Sequence, residues 1–147
     1  MRLRLLLLCC VLCVLPRCLS AQAVPLIATR GLDLLVKGQP DSAVALWTRT
    51  WTSTNDAGKA EQLLGSFRQL PQIVGSPLGY DLIRTVDVTP HLTRAYFLLR
   101  CEKQPLYFLL VLYEAKDQWA VGTVNWNTDA DHVLPPNLFG AEHPIRP

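Results

Sequence analysis

Cys101 has no cysteine to pair with beyond residue 18, because the other four, Cys9, Cys10, Cys13 and Cys18, all lie in the first eighteen positions. Once that segment is removed no internal disulfide can form, and the fold must be held by an apolar core. Cys101 itself reads as a buried strand residue, with an intermolecular disulfide or a reactive thiol as the alternatives. Long apolar runs are missing too: Leu5 to Leu15 spans 11 residues, whereas a membrane-crossing helix takes about 20. There is no G-x-S-x-G elbow, no G-x-x-x-x-G-K-[ST] loop and no G-x-G-x-x-G turn, so serine-nucleophile, phosphate-loop and dinucleotide chemistry have no support and no cofactor is expected. His91, His132 and His143 show no ligand spacing, which argues against a zinc site.

What the chain does have at its start is a leader. Arg2 and Arg4 precede the apolar run, and Ser20-Ala21-Gln22-Ala23 supplies a small-x-small cleavage site, the layout of a secretory signal peptide over residues 1–23. Cleavage after Ala23 makes Val24 the first mature residue; cleavage after Ala21 is the second choice. A lipoprotein reading fails, because Leu8 precedes Cys9 and Arg17 precedes Cys18 where a small residue is needed. Removing Arg2, Arg4 and Arg17 from the 14 basic residues leaves 11 against 12 acidic ones. With no Lys/Arg cluster, neither nucleic acid nor an anionic membrane is an expected partner, and contact with the bilayer is expected only through an uncleaved leader.

Residues 24–147 amount to one domain with helical spacing first and strand spacing after, an α+β order. Pro25 opens a helix with Ala28, Leu32, Leu35 and Val36 in register, Gly31 weakening it and Gly38 closing it. Pro40-Asp41-Ser42 starts a second helix, with proline in the first turn and Asp41 near the positive end of the dipole, that carries Val44, Trp47 and Trp51. Thr54 or Asn55 caps a third, in which Ala60, Leu63, Leu64, Phe67 and Leu70 keep the i, i+3, i+4, i+7 rule until Pro71 interferes.

After a hinge at residues 75–79, Tyr80–Val88 reads as a strand, and Thr93–Glu102 as another with Ala95, Phe97, Leu99 and Cys101 on one face and Tyr96, Leu98, Arg100 and Glu102 on the other. Arg100 and Glu102 are expected to form a solvated ion pair near a rim. Leu106–Glu114 is apolar on both faces, which predicts a central strand covered on one side by helices and on the other by something else. Ala115–Gln118 is a hairpin loop and Trp119–Trp126 the last strand. From about residue 128 the sequence predicts an irregular, partly mobile tail. Asn125, Asn127, Asp129, Asp131 and His132 superficially suggest a calcium loop, but the glycine and glutamate that loop needs are missing, so an Asx-rich turn is the better reading.

Gly38-Gln39-Pro40-Asp41-Ser42-Ala43-Val44, Val88-Thr89-Pro90-His91-Leu92-Thr93-Arg94-Ala95-Tyr96, Tyr113-Glu114-Ala115-Lys116-Asp117-Gln118-Trp119 and Val124-Asn125-Trp126-Asn127-Thr128-Asp129 carry a family likeness. With three helices leading into a four-stranded meander, the chain from Leu26 to Asp129 resembles small exported bacterial members of the nuclear transport factor 2-like, or cystatin-like, superfamily. The resemblance implies three N-terminal helices on a curved antiparallel four-stranded sheet, a cone around a pocket, in a superfamily of isomerases, dehydratases and many non-catalytic proteins. The candidate lining residues are Trp47, Trp51, Tyr80, Tyr96, Phe97, Arg100, Tyr107, Phe108 and Trp126, with core packing as the competing role for most of them. The leading expectation is an exported, non-catalytic domain that binds a small apolar ligand or a protein partner. The alternatives are a cofactor-independent acid/base enzyme of the same fold, for which Tyr80, Asp81, Tyr96, Arg100, Glu102 and Tyr107 are raw material, and a homodimer formed through the sheet.

Overall fold

The protein is seen in a computed structural model that describes residues 24–51 and 54–138; the expected leader over residues 1–23 and the last nine positions lie outside them. Three helices, α1 (Leu26–Val36), α2 (Pro40–Thr48) and α3 (Thr54–Val74), precede four strands, β1 (Pro77–Thr89), β2 (Leu92–Cys101), β3 (Leu106–Ala115) and β4 (Gln118–Asn127). The strands pair antiparallel in the order β1-β2-β3-β4, giving an open, curved α+β sheet with β1 and β4 at its edges.

Local chemistry sets the helix boundaries. Pro25 stands at the N-cap of α1, and Gly38 beyond its end takes the left-handed φ of +71° that a side chain would resist. α3 already includes Thr54, so its cap position falls on a residue outside those described. Pro71 does not end α3, which continues to Val74. A proline there withholds one N–H, but the following turn still closes, with Gly75 N–H donating to the Pro71 carbonyl (3.1 Å), and it is held from outside by Lys103, whose N–H donates to the carbonyl of Val74 (2.9 Å) and whose ammonium donates to that of Gln72 (3.1 Å). The β2–β3 loop therefore finishes the helix, and its lysine meets the negative end of the dipole.

The β3–β4 hairpin is tighter than the expected loop. Lys116 and Asp117 alone form the turn, both at positive φ (52° and 58°), as a two-residue type I′ connection demands. β1 has register shifts after Pro77, Leu82 and Asp87, which accounts for its poor alternation at the sheet edge.

The core lies between the helices and one face of the sheet. Phe97 and Leu99 from β2, with Leu106, Phe108, Leu110 and Leu112 from β3, bury against Leu32, Leu35, Val44, Trp47, Phe67 and Leu70. At its centre Trp47, Phe67, Phe108 and Trp126 pack ring on ring, with neighbouring centroids 5.8–6.5 Å apart. The Trp47 indole N–H donates to the Ile27 carbonyl at 3.0 Å, so its one polar atom is satisfied in the interior. α1 passes so close over this ring that a Cβ at Gly31 would overlap the indole.

The opposite face is covered as well, by the stretch the sequence marks as tail. After β4 the chain forms a short 3₁₀ helix (Ala130–His132) and returns across the sheet, burying Val133 and Leu134 with Tyr96. Ile83, Val86, Tyr107, Leu109 and Leu138 pack around them. This is the second cover that the apolar-on-both-faces pattern of β3 requires. Residues 130–138, irregular apart from that one 3₁₀ turn, thus serve as a packed cover, and the rest of the expected tail lies outside the described residues.

Candidate functional site

The nine candidate residues divide among five environments. Trp47, Phe97 and Phe108 are core, each no more than 1% exposed, so they fill the interior that a hollow cone would leave open. Tyr96 and Tyr107 belong to the opposite face, beneath the 130–138 segment. Period-2 alternation requires this split, since Tyr96 precedes Phe97 and Tyr107 precedes Phe108 along their strands. Arg100 is exposed, and its partner is Asp81 across the β1–β2 ladder (3.0 Å), not Glu102. Glu102 instead accepts the Ser76 N–H at 3.0 Å.

Tyr80 ties β1 to α1. Its hydroxyl donates to Asp33 Oδ1 at 2.9 Å and its ring meets Phe97 edge-on at 6.0 Å. Partial burial, and then the neighbouring Asp33 carboxylate, push the phenol pKa up to about 12. A neutral hydroxyl already engaged as a donor fits a structural role here.

Trp51 and Trp126 are the two candidates that meet in a cavity. They flank a cleft of about 380 Å³ between α3 and β4, lined also by Lys59, Gln62, Leu63 and Ser66 on the helix side and Gly122, Thr123 and Val124 on the strand side. The local sequence explains its shape. Val111 pairs with Thr123 while Leu112 pairs with Val121, so Gly122 is the extra residue of a β-bulge. Trp51, just beyond α2, donates its indole N–H to the Val121 carbonyl at 2.7 Å, which pins the ring at the mouth of the cleft. The bulged residue has no side chain, and a Cβ there would press on the Tyr113 ring at 3.3 Å. Trp126 closes the far end and rests on Phe67, its ring centroid 6.2 Å away.

Lys59, Gln62 and Ser66 stand at i, i+3 and i+7 on α3, so one polar stripe supplies the helical wall. That spacing is visible in the sequence, but it reads as an ordinary solvated face until the fold puts β4 beside it. Lys59 lies 3.5 Å from Asp56. Ser66 donates to the Gln62 carbonyl at 2.9 Å. Among the described lining residues Lys59 is the ionisable one, and Asp56 is the carboxylate beside it.

The remaining polar candidates act locally. Asn127 Oδ1 accepts the Asp129 N–H (2.9 Å) and Asp129 Oδ1 accepts the Asp131 N–H (3.1 Å), consecutive Asx turns that start the 3₁₀ helix. Among the described residues no three His, Cys, Asp or Glu side chains gather as metal ligands. Cys101 is half-buried, and burial pushes its thiol up, away from the reactive thiolate. No helix among the described residues is long and apolar enough to cross a membrane. Comparison of the chain with family models, curated proteins and solved structures finds no match.

Proposed function

We propose that this chain is an exported, non-catalytic binding domain of the nuclear transport factor 2-like superfamily, and that it takes a small ligand with an apolar body in the cleft between α3 and β4. The observation that carries the reading is the pairing of Trp51 and Trp126 across a cavity of about 380 Å³, a size within the range of small-molecule sites. Two indoles offer stacking surface, while Gln62, Ser66 and Thr123 offer a few hydrogen bonds to fix orientation. The helix-helix-helix then meander order, shared with the cone proteins, supports the superfamily assignment. The leader, with its small residues at Ala21 and Ala23, supports export.

Titration of the purified chain with the neutral fluorophore N-phenyl-1-naphthylamine tests the site. Saturable binding is expected, together with its loss in Ser66→Arg, which fills the mouth of the cleft from the helix side without touching the core. Binding that survives Ser66→Arg unchanged, or no saturable binding at all, refutes the assignment.

A further inference from the structure

A second cavity, separate from the tryptophan cleft, is framed by two arginines. Arg30 on α1 and Arg49 at the C-cap of α2 border a hollow of about 580 Å³, with Leu46, Trp119 and Gln118 along its walls and Val24 at its edge. Neither guanidinium has an ion pair or hydrogen bond with a described residue. Of the carboxylates close in the chain or ladder to the lining of the hollow, Asp33, one turn along from Arg30, accepts the Tyr80 hydroxyl, Glu114, opposite Trp119 in the β3–β4 ladder, contacts His91, and Asp117 lies in the turn next to Gln118. Arg49 at a helix C-terminus offsets the α2 dipole. Arg30 has no such account, since it sits in the first half of α1, where a cation gains nothing from its helix. Two unneutralised, fork-shaped donors over an indole and a leucine form a composite surface. The forks suit an oxyanion, and the indole and leucine suit the apolar body attached to it.

We infer that the Arg30/Arg49 hollow is a binding site for a small organic anion, a carboxylate or sulfonate carrying an aromatic or aliphatic body. The carboxylate is held between the two guanidiniums, and the body lies against Trp119 and Leu46. The volume, of about 580 Å³, takes a ligand of roughly two fused rings and a short acid arm. This site stands independently of the tryptophan cleft, so either can fail without the other.

The test compares 2-naphthoate with the uncharged 2-naphthamide on the uniformly ¹⁵N-labelled chain, following the four indole N–H cross-peaks. The naphthoate is expected to shift the Trp119 peak and to bind about tenfold more tightly than the amide, a preference that high salt erases. The double variant Arg30→Gln/Arg49→Gln should bind both ligands equally weakly. Because neither arginine has a protein partner to lose, it should unfold at the wild-type temperature. Equal affinity for the two ligands in the wild type, no binding of naphthoate up to about 10 mM, shifts confined to Trp51 and Trp126, or a charge preference that persists in the double variant would each overturn the inference.

Discussion

Gly31→Ala is the substitution for which the structure predicts the opposite of what helix propensity predicts. In an isolated helix the change stabilises by about 1 kcal/mol. Here the new methyl would occupy the space of the Trp47 indole, a ring with no exposed surface whose N–H is bonded to the Ile27 carbonyl one turn before Gly31. Forcing a methyl into a filled core costs about 1–3 kcal/mol. If the ring swings away, a buried donor and acceptor also lose each other, at about 1–3 kcal/mol. Less the propensity gain, the net loss is about 1–5 kcal/mol, centred on about 3 kcal/mol. At an m-value of about 2 kcal/mol/M, a loss of about 3 kcal/mol lowers the urea midpoint by about 1.5 M. Gly58→Ala and Gly65→Ala on α3 are the internal controls. Their Cβ atoms meet open space, so each should stabilise by up to about 1 kcal/mol. Equilibrium urea unfolding followed by circular dichroism reads all three. A Gly31→Ala chain as stable as the wild type would refute the claim that α1 and α2 approach through this glycine.

The Lys116-Asp117 turn holds two non-glycine residues at positive φ; replacing them with Asn-Gly should raise stability by about 1 kcal/mol in the same assay, and no change would show that the turn is not type I′. Tyr80 should ionise in an ultraviolet titration near the value of about 12 that burial and Asp33 impose. Its folded pKa lies above its unfolded value of about 10, so the stability it contributes is complete below that value and is lost as the pH climbs toward 12. Tyr80→Phe should flatten stability across that window, and an unchanged slope would count against the Tyr80–Asp33 contact.

The elements were readable because their signals are local. Helix starts at Pro25 and Pro40, the stop at Gly38 and the double-sided apolarity of β3 each follow from a few adjacent residues. What the sequence conceals is set by partners distant along the chain. Pro71 reads as a helix stop, yet residues of the β2–β3 loop satisfy the turn beyond it. Gly31 reads as a weak point in α1, yet a ring sixteen positions later requires it. The stretch after residue 128 has no period because it lies over the sheet as an irregular cover, and such a cover needs only a few apolar anchors such as Val133 and Leu134. Alternation along the strands sends Tyr96 and Phe97 to opposite faces, so the aromatics cannot share one pocket, and the Trp51–Trp126 pair emerges only once the β4 bulge is in place.

The cover over the sheet's second face also orders the events of biosynthesis. Every strand, and every helix that packs on the first face, is synthesised before Val133 and Leu134 leave the ribosome, so a nascent chain that has completed β4 still presents Tyr96, Tyr107 and Leu109 bare. Exposed apolar surface of this kind invites chaperone capture and aggregation.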